Sequence, residues 1–281
     1  MKKKRNPGIG LVGALALLGL VPLLFILTGS FMSEDELVRS LAPMVQEGDG
    51  YIAWRLVPVY PTLQHYKEVL LDAPEFFVMF WNTVKMTALI MAGQLLVGIP
   101  AAWGLSRYKW RGRKGVYLLY VLLMMLPFQV TMLSNYLLLR RVELLDTMWG
   151  IVLPSVFSTY PVFIMYRFFR SIPQEVMDAA ELDGAGHLQR IWYIGLPLGK
   201  AGIMSAMFLS FIESWNMLEA PMAFLETKSL WPMGLYLPKV GMERMGFAFA
   251  ASVISLVLPL LIFLGGKDSL ESGIQAMGVK E

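Results

Sequence analysis

Reactive side chains are scarce in this 281-residue chain, and the scarcity decides what chemistry is open to it. Cysteine is absent and histidine occurs only as His65 and His187. That excludes thiol catalysis, disulfide scaffolds, cysteine-ligated zinc and a multi-histidine metal site. No G-x-x-x-x-G-K-[ST] loop is present to cradle a nucleotide phosphate. What remains falls into two groups. One is a set of polar side chains embedded in apolar runs: Gln94, Gln129, Ser134, Asn135, Glu213 and Asn216. The other is an acidic and small-residue string that begins at Asp178-Ala179-Ala180. Neither group is a catalytic constellation, so no catalytic residue, metal site or cofactor is expected in this chain.

The elements that hold these residues follow from composition. Apolar residues make up 56% of the chain and charged residues 16%, against about 45–50% and about 25% in soluble domains. Such a chain has ample apolar surface to bury, which excludes disorder, and departs from the average towards a membrane protein. Six stretches reach the roughly 20 apolar residues needed to cross a bilayer: Gly8–Phe31, Phe76–Leu105, Val116–Leu139, Met148–Phe169, Ala201–Leu218 and Phe247–Gly266. The expectation is an all-α membrane protein forming a single transmembrane domain over residues 1–281. Prolines inside the stretches (Pro22, Pro100, Pro127, Pro154, Pro161, Pro259) are tolerated in lipid, where neighbouring groups satisfy the freed carbonyls. The first stretch follows Lys2-Lys3-Lys4-Arg5 and so also resembles a signal peptide. Its apolar run is longer than a signal core and lacks an A-x-A site, which favours a retained span.

Lysine and arginine set the orientation. With the N-terminus in the cytoplasm, fifteen fall inside and eight outside, so both termini are expected to be cytoplasmic. Arg140-Arg141 run locally against this assignment, beside Glu143 and Asp146.

The inside segment between the fourth and fifth stretches, residues 170–200, carries the second group. Ser171 with Gln174 has capping-box spacing, and Pro173 suits a first helical turn. Glu175 and Asp178 sit well near the positive end of the helix dipole. Gly184 or Gly186 can take the left-handed conformation that ends the helix. A second short helix, from about His187 to Tyr193, is expected to stop before Pro197. The result is a helix-turn-helix on the cytoplasmic face, with Ala179, Ala180 and Gly184 small enough for another backbone to approach.

The string Asp178-Ala179-Ala180, Gly184 after three residues, and Ile194-x-Leu196-Pro197 after nine more resembles the EAA signature of ABC-importer permeases. Asp178 stands where that family usually has glutamate. The likeness is closest to carbohydrate permeases of the maltose-system kind. It extends to Trp81-Asn82-Thr83, the basic stretch Ser106–Arg113, Met125-Leu126-Pro127, Ser214-Trp215-Asn216 with Pro221, and the tail from Glu271 to Glu281.

The resemblance implies a type I ABC importer permease fold with six transmembrane helices, in a bacterial cell membrane. It implies a second homologous permease, two cytoplasmic ATPase subunits that bind and hydrolyse ATP-Mg, and an external or periplasmic sugar-binding protein, with no nucleic acid. By analogy Asp178, Ala179, Ala180 and Gly184 form the helix gripped by an ATPase subunit, and Ile194, Leu196 and Pro197 tie it to the fifth span. A sugar path would use Glu213 as hydroxyl acceptor, Trp215 or Trp231 as a stacking face, and Asn216 and Asn135 as polar lining. Plainer roles stand beside these. Gln94, Gln129 and Asn135 suit interhelical hydrogen bonds, and Glu213 can instead pair with the partner permease or be hydrated at an interface. The outer segment Glu219–Met245 is expected to meet the binding protein, or else to hug the interface with its aromatics.

Two other classes compete. An ion-driven secondary transporter predicts paired intramembrane ionisable groups and matching broken helices in two halves, and the sequence offers one such carboxylate. A membrane anchor without a pathway does not account for polar residues in several spans.

Overall fold

The computed structural model describes residues 7–41 and 57–278. The Lys2–Arg5 cluster, Arg55 and Lys280 lie outside the described residues. All regular structure among the described residues is helical. The helices, in chain order, are α1 (Pro7–Gly29), α2 (Glu34–Leu41), α3 (Gln64–Lys67), α4 (Pro74–Arg107), α5 (Arg113–Met124), α6 (Phe128–Arg141), α7 (Met148–Val156), α8 (Thr159–Ser171), α9 (Gln174–Leu182), α10 (His187–Arg190), α11 (Leu196–Trp215), α12 (Glu219–Phe224), α13 (Met233–Tyr236) and α14 (Met245–Gly278).

Among the described residues, four helical runs are long and apolar enough to cross a membrane: Pro74–Arg107, Met148–Ser171, His187–Trp215 and Met245–Lys267. The pair Arg113–Met124 and Phe128–Arg141 passes the same test together but is bent by 102°. α1 is a further apolar helix of 23 residues.

Where the expected third span was continuous, the structure breaks it at Pro127, which is extended (φ −68°, ψ 150°) and stands just ahead of α6. Proline has no N–H and disfavours helical geometry in the residue before it, so α5 ends at Met124 and a new helix starts after the proline. Pro22, Pro100, Pro154 and Pro259, by contrast, remain inside helices. The fourth stretch is interrupted at Phe157 and Ser158, between α7 and α8.

The described residues fall into two compact units. The first comprises those up to Phe77 together with Tyr236–Val257. Its core holds Met32, Leu37, Val69, Phe76 and Phe247. Glu34 caps the start of α14 from a distance, its carboxylate accepting from the backbone N–H of Met245 (3.0 Å) and Gly246 (3.2 Å). That places a negative charge at a helix N-terminus. Arg244 donates to Glu68 at 2.6 Å and lies 4.2 Å over the Phe247 ring. Hydrogen bonding to Glu68 pushes the Arg244 guanidinium above its ordinary pKa. His65 is buried and lies 2.9 Å from the Met32 carbonyl through Nε2, an ordinary structural use of the ring.

The second unit comprises Val78–Leu235 and the described residues from Leu258. Its main core gathers Trp103 of α4, Ile164, Met165 and Phe169 of α8, Met177 of α9 and Ala206 of α11. A second cluster joins Met86 and Ile90 of α4 to Ile151 and Val152 of α7 and to Phe224. Asp146 has a positive φ of 53°. It is held by bonds from the N–H groups of Glu226 (2.9 Å) and Thr227 (2.8 Å) and from the Thr227 hydroxyl. Those bonds hold its carboxyl below the usual range.

Candidate coupling segment and polar cavity

Both groups of chemically capable residues lie in the second unit, in different surroundings. In the segment 170–200, α9 turns Met177 and Ala180 inward and leaves Asp178, Ala179 and Leu182 exposed. The capping-box expectation fails. Ser171 Oγ instead donates to the Phe168 carbonyl (2.8 Å), and Pro173, which has no side-chain donor or acceptor, occupies the N-cap. Gln174 donates to Asp178 Oδ1 at 2.9 Å. Local side-chain bonding of this kind competes with capping.

The helix stop is made as expected, by Gly184, at φ +76°. The N–H of Gly184 reaches the Glu181 carbonyl (3.0 Å) and that of Ala185 reaches the Ala180 carbonyl (2.9 Å). This is the paired closure of a Schellman motif. Gly186, at φ −68°, begins α10 instead, its N–H donating to Gln189 Oε1 at 2.8 Å. Arg190 then pairs with Glu181 at 3.1 Å across the turn. His187 meets Tyr108, from the basic stretch after α4, edge to face at 5.4 Å.

The expected stop before Pro197 is corrected by the structure, in which His187–Trp215 is one helical run. A π turn at Ile191–Gly195 leads into α11, with Pro197 in its first turn. Proline lacks the N–H that would donate back to the preceding turn, and the wider turn accommodates the missing bond. Ile194 and Leu196 are half-buried here and Pro197 is exposed.

Three glycines that the sequence reading passed over key this run to its neighbours. A Cβ on Gly195 would lie 2.5 Å from the Trp103 ring, on Gly199 2.4 Å from Phe169, and on Gly202 2.2 Å from Phe168. Their i, i+4, i+7 spacing is a small-residue seam of the kind that lets helices approach closely in membranes, and it was visible in the sequence. Arg107, at the end of α4, completes the clamp. Its guanidinium donates to the carbonyls of Phe169 and of Ile172 (2.6 Å for Ile172), at the negative end of α8.

Half of the polar group meets at a cavity of about 390 Å³ bounded by α4, α6, α7, α11 and α12. Gln94, Asn135 and Glu213 line it together, with Ser155, Ser158, Ser214 and Glu219 among the other polar residues and Phe128 and Phe224 among the apolar ones. Trp215 and Asn216 are not brought to it. Trp215 is 9% exposed and packs on Phe211 (5.5 Å) and Phe80 (6.0 Å), while Asn216 Nδ2 caps the end of α11 through the Ile212 carbonyl at 2.9 Å. Gln129 donates to Glu219 at 2.8 Å, and Ser134 is exposed. Among the described residues no group of three or more His, Cys, Asp or Glu could hold a metal.

Residues 94–275 match the family described as binding-protein-dependent transport system inner membrane component. The chain belongs to that family. The match spans both the cavity helices and the Asp178–Pro197 segment. Among curated relatives, the arabinooligosaccharides transport system permease protein AraQ of Halalkalibacterium halodurans is 25% identical over 289 residues, covering 100% of both chains. The diacetylchitobiose uptake system permease protein NgcG of Streptomyces coelicolor is 28% identical, covering 87% of this chain and 78% of its own. Among solved structures, a bacterial ABC transporter involved in the import of the acidic polysaccharide alginate superposes with a TM-score of 0.75 at 25% identity, covering 94% of this chain and 97% of that one.

Proposed function

We propose that this chain is one permease subunit of an ATP-driven, binding-protein-dependent importer for a sugar of the oligosaccharide class. It sits in a bacterial cell membrane as six spans with both termini cytoplasmic, α1 supplying the first crossing and the bent α5–α6 pair the third. A second homologous permease completes the pathway, an external or periplasmic binding protein delivers the sugar, and two cytoplasmic ATPase subunits bind and hydrolyse ATP-Mg. The segment around Asp178, Ala179, Ala180 and Gly184 docks on an ATPase subunit. Ile194, Leu196 and Pro197 carry its movement into α11.

The observation that carries this reading is the way the segment is built. α9 exposes Leu182 at 90%, and Leu188 of α10 is 72% exposed, while the backbone behind them is fixed by the glycine seam and by Arg107. An apolar tip on a rigid mount suits transmission of a rigid-body rotation between two states.

Because the chain contains no cysteine, Ala179→Cys is a unique attachment point. Loaded with a thiol-to-amine cross-linker in the assembled complex, it is expected to capture an ATPase subunit with a yield that changes on ATP binding. Capture of lipid alone, with transport intact, overturns the docking role.

A further inference from the structure

The turn between α4 and α5 carries charge that the fold does not use. Five of the eight residues 107–114 are lysine or arginine, and no Asp or Glu occurs between Glu75 and Glu143. Arg107 is committed to carbonyls at the end of α8, and Arg113 Nη1 donates to the Tyr108 carbonyl at 3.1 Å. Lys109, Arg111 and Lys114 are exposed, and among the described residues none of the three makes an ion pair. The acidic residues on and after α9 (Glu175, Asp178, Glu181 and Asp183) make none with this turn either, and Glu181 is held by Arg190 at 3.1 Å. Lys114 stands with Arg113 in the first turn of α5, where the helix dipole is itself positive and no acidic residue offsets it. The preference for cations on the inner face accounts for the sign of these charges. It does not account for leaving them unpaired at a helix end that repels them, and an anion from outside the chain relieves that repulsion.

The turn is nonetheless ordered. Gly112 takes φ +92°. The N–H of Tyr108 reaches the Gly104 carbonyl (3.3 Å) and that of Val116 reaches the Gly112 carbonyl (3.0 Å), which closes the turn on both sides. Trp110 is left exposed among the cations, and about one helical turn beyond Lys114 the side chains of Leu118, Leu119 and Leu122 are exposed as well. Cations, an indole and then bare leucines follow the order of layers met on passing from phosphate headgroups into acyl chains. A soluble protein docked on the cations would leave the leucines beside them uncovered.

Resting on the reading that puts this turn on the inner face of the membrane, we propose that Lys109, Arg111 and Lys114, set around Trp110, form a binding surface for the headgroups of anionic phospholipids. Phosphate oxygens accept from the ammonium and guanidinium groups, and the indole lies at the level where headgroup meets acyl chain. Because the turn is already ordered, little conformational freedom is lost when a headgroup binds.

The test uses the complete complex in nanodiscs that contain brominated phosphatidylglycerol or brominated phosphatidylcholine, with quenching of Trp110 read as the difference between the native complex and Trp110→Phe. One cation near an anionic surface is worth about fivefold in affinity. Phosphatidylglycerol should therefore half-quench Trp110 at a mole fraction at least fivefold lower than phosphatidylcholine. In the triple variant Lys109→Gln, Arg111→Gln, Lys114→Gln the difference should fall below twofold, and in the charge-keeping triple Lys109→Arg, Arg111→Lys, Lys114→Arg it should persist. Equal quenching by the two lipids overturns the proposal, as does quenching by neither or an unchanged preference in the glutamine variant. Loss of the ATPase subunits from the purified glutamine variant assigns the turn to a protein contact and also overturns it. ATP-driven uptake by the native complex judges the permease reading separately, so uptake without the lipid preference removes this inference alone.

Discussion

The segment 170–200 and the cavity are carried by some of the same helices, and they are finished to different standards. Around Gly184–Gly202 the backbone polar groups at the helix turn are paired, and three glycines leave no room for a Cβ. At the cavity, about a dozen residues away along α4 and α11, the amide oxygen of Gln94 is buried without a partner and two carboxylates line one open space. Close packing and closed hydrogen bonding suit a part that must transmit a displacement without deforming. Unsettled polarity suits a part that completes itself only with cargo. On the proposed function, the difference separates transmission from recognition within one compact unit.

The sharpest way to break that contrast is to spoil the seam. Gly202→Leu forces a side chain into the Phe168 ring and should cost at or above the upper end of the ~1–3 kcal/mol typical of overpacking. Thermal unfolding in detergent should show a large drop in the midpoint, and pairing Gly202→Ala with Phe168→Ala should recover much of the loss suffered by Gly202→Ala alone. A Gly202→Leu protein with native stability and native transport would show that the mount is not rigid.

Arg107→Ala comes next. It removes charge-assisted bonds to the Phe169 and Ile172 carbonyls, worth about 1.5–3 kcal/mol each. Lysine at this position should recover only part of the unfolding midpoint, because it lacks the planar fork.

Gly184 separates coupling from folding. No atom would meet a Cβ there, but φ is +76°, so leucine should cost about 1–2 kcal/mol of backbone strain. Gly184→Leu is expected to remain in the membrane yet lose ATP-driven uptake, whereas Gly184→Asn, which tolerates the left-handed conformation, should keep most of it. Uptake assays on both variants, with membrane yield measured alongside, read the difference.

The smallest effect lies near the cavity, at Asp146. Its carboxyl is held below the usual range by the Thr227 hydroxyl and the Thr227 and Glu226 amides. The stabilisation is therefore complete above the ordinary carboxylate pKa and is lost as pH falls through the lowered folded value. The protection of the Glu226 and Thr227 amides, measured as exchange relative to the intrinsic rate at each pH, should be constant from neutral pH down to about 5 and fall only in stronger acid, and Asp146→Asn should lower it at neutral pH.

Much of this arrangement was legible in the amino-acid order. Hydropathy located α4 and the apolar part of α14, Met245–Lys267, within a few residues, and the local signals in residues 170–200 found the helix, offered Gly184 or Gly186 as its stop and placed the start of the second helix. Most of what escaped depended on partners distant in sequence. Six prolines look alike in a string, yet Pro127 parts two helices and Pro100 sits inside one. Whether a freed carbonyl finds another donor is decided by neighbouring helices, not by the local sequence. Ser171 and Gln174 had the right spacing for a cap, but each found a different local bond. The cavity was half visible. Glu213, Asn135 and Gln94 stood out as polar residues in apolar runs, but nothing local distinguished them from Asn216 or Trp215, which the fold uses for capping and packing.

The closure after α9 has an evolutionary consequence. Because the stop is drawn in main-chain bonds around one glycine, the outline of the tip does not depend on which side chains decorate it. On the docking role proposed for this segment, an exposed position such as Leu182 can change without altering the turn, so a lineage could retune which engine its transporter accepts by recolouring a surface whose shape stays constant. Mismatched pairs would then fail at recognition and not at assembly of the fold.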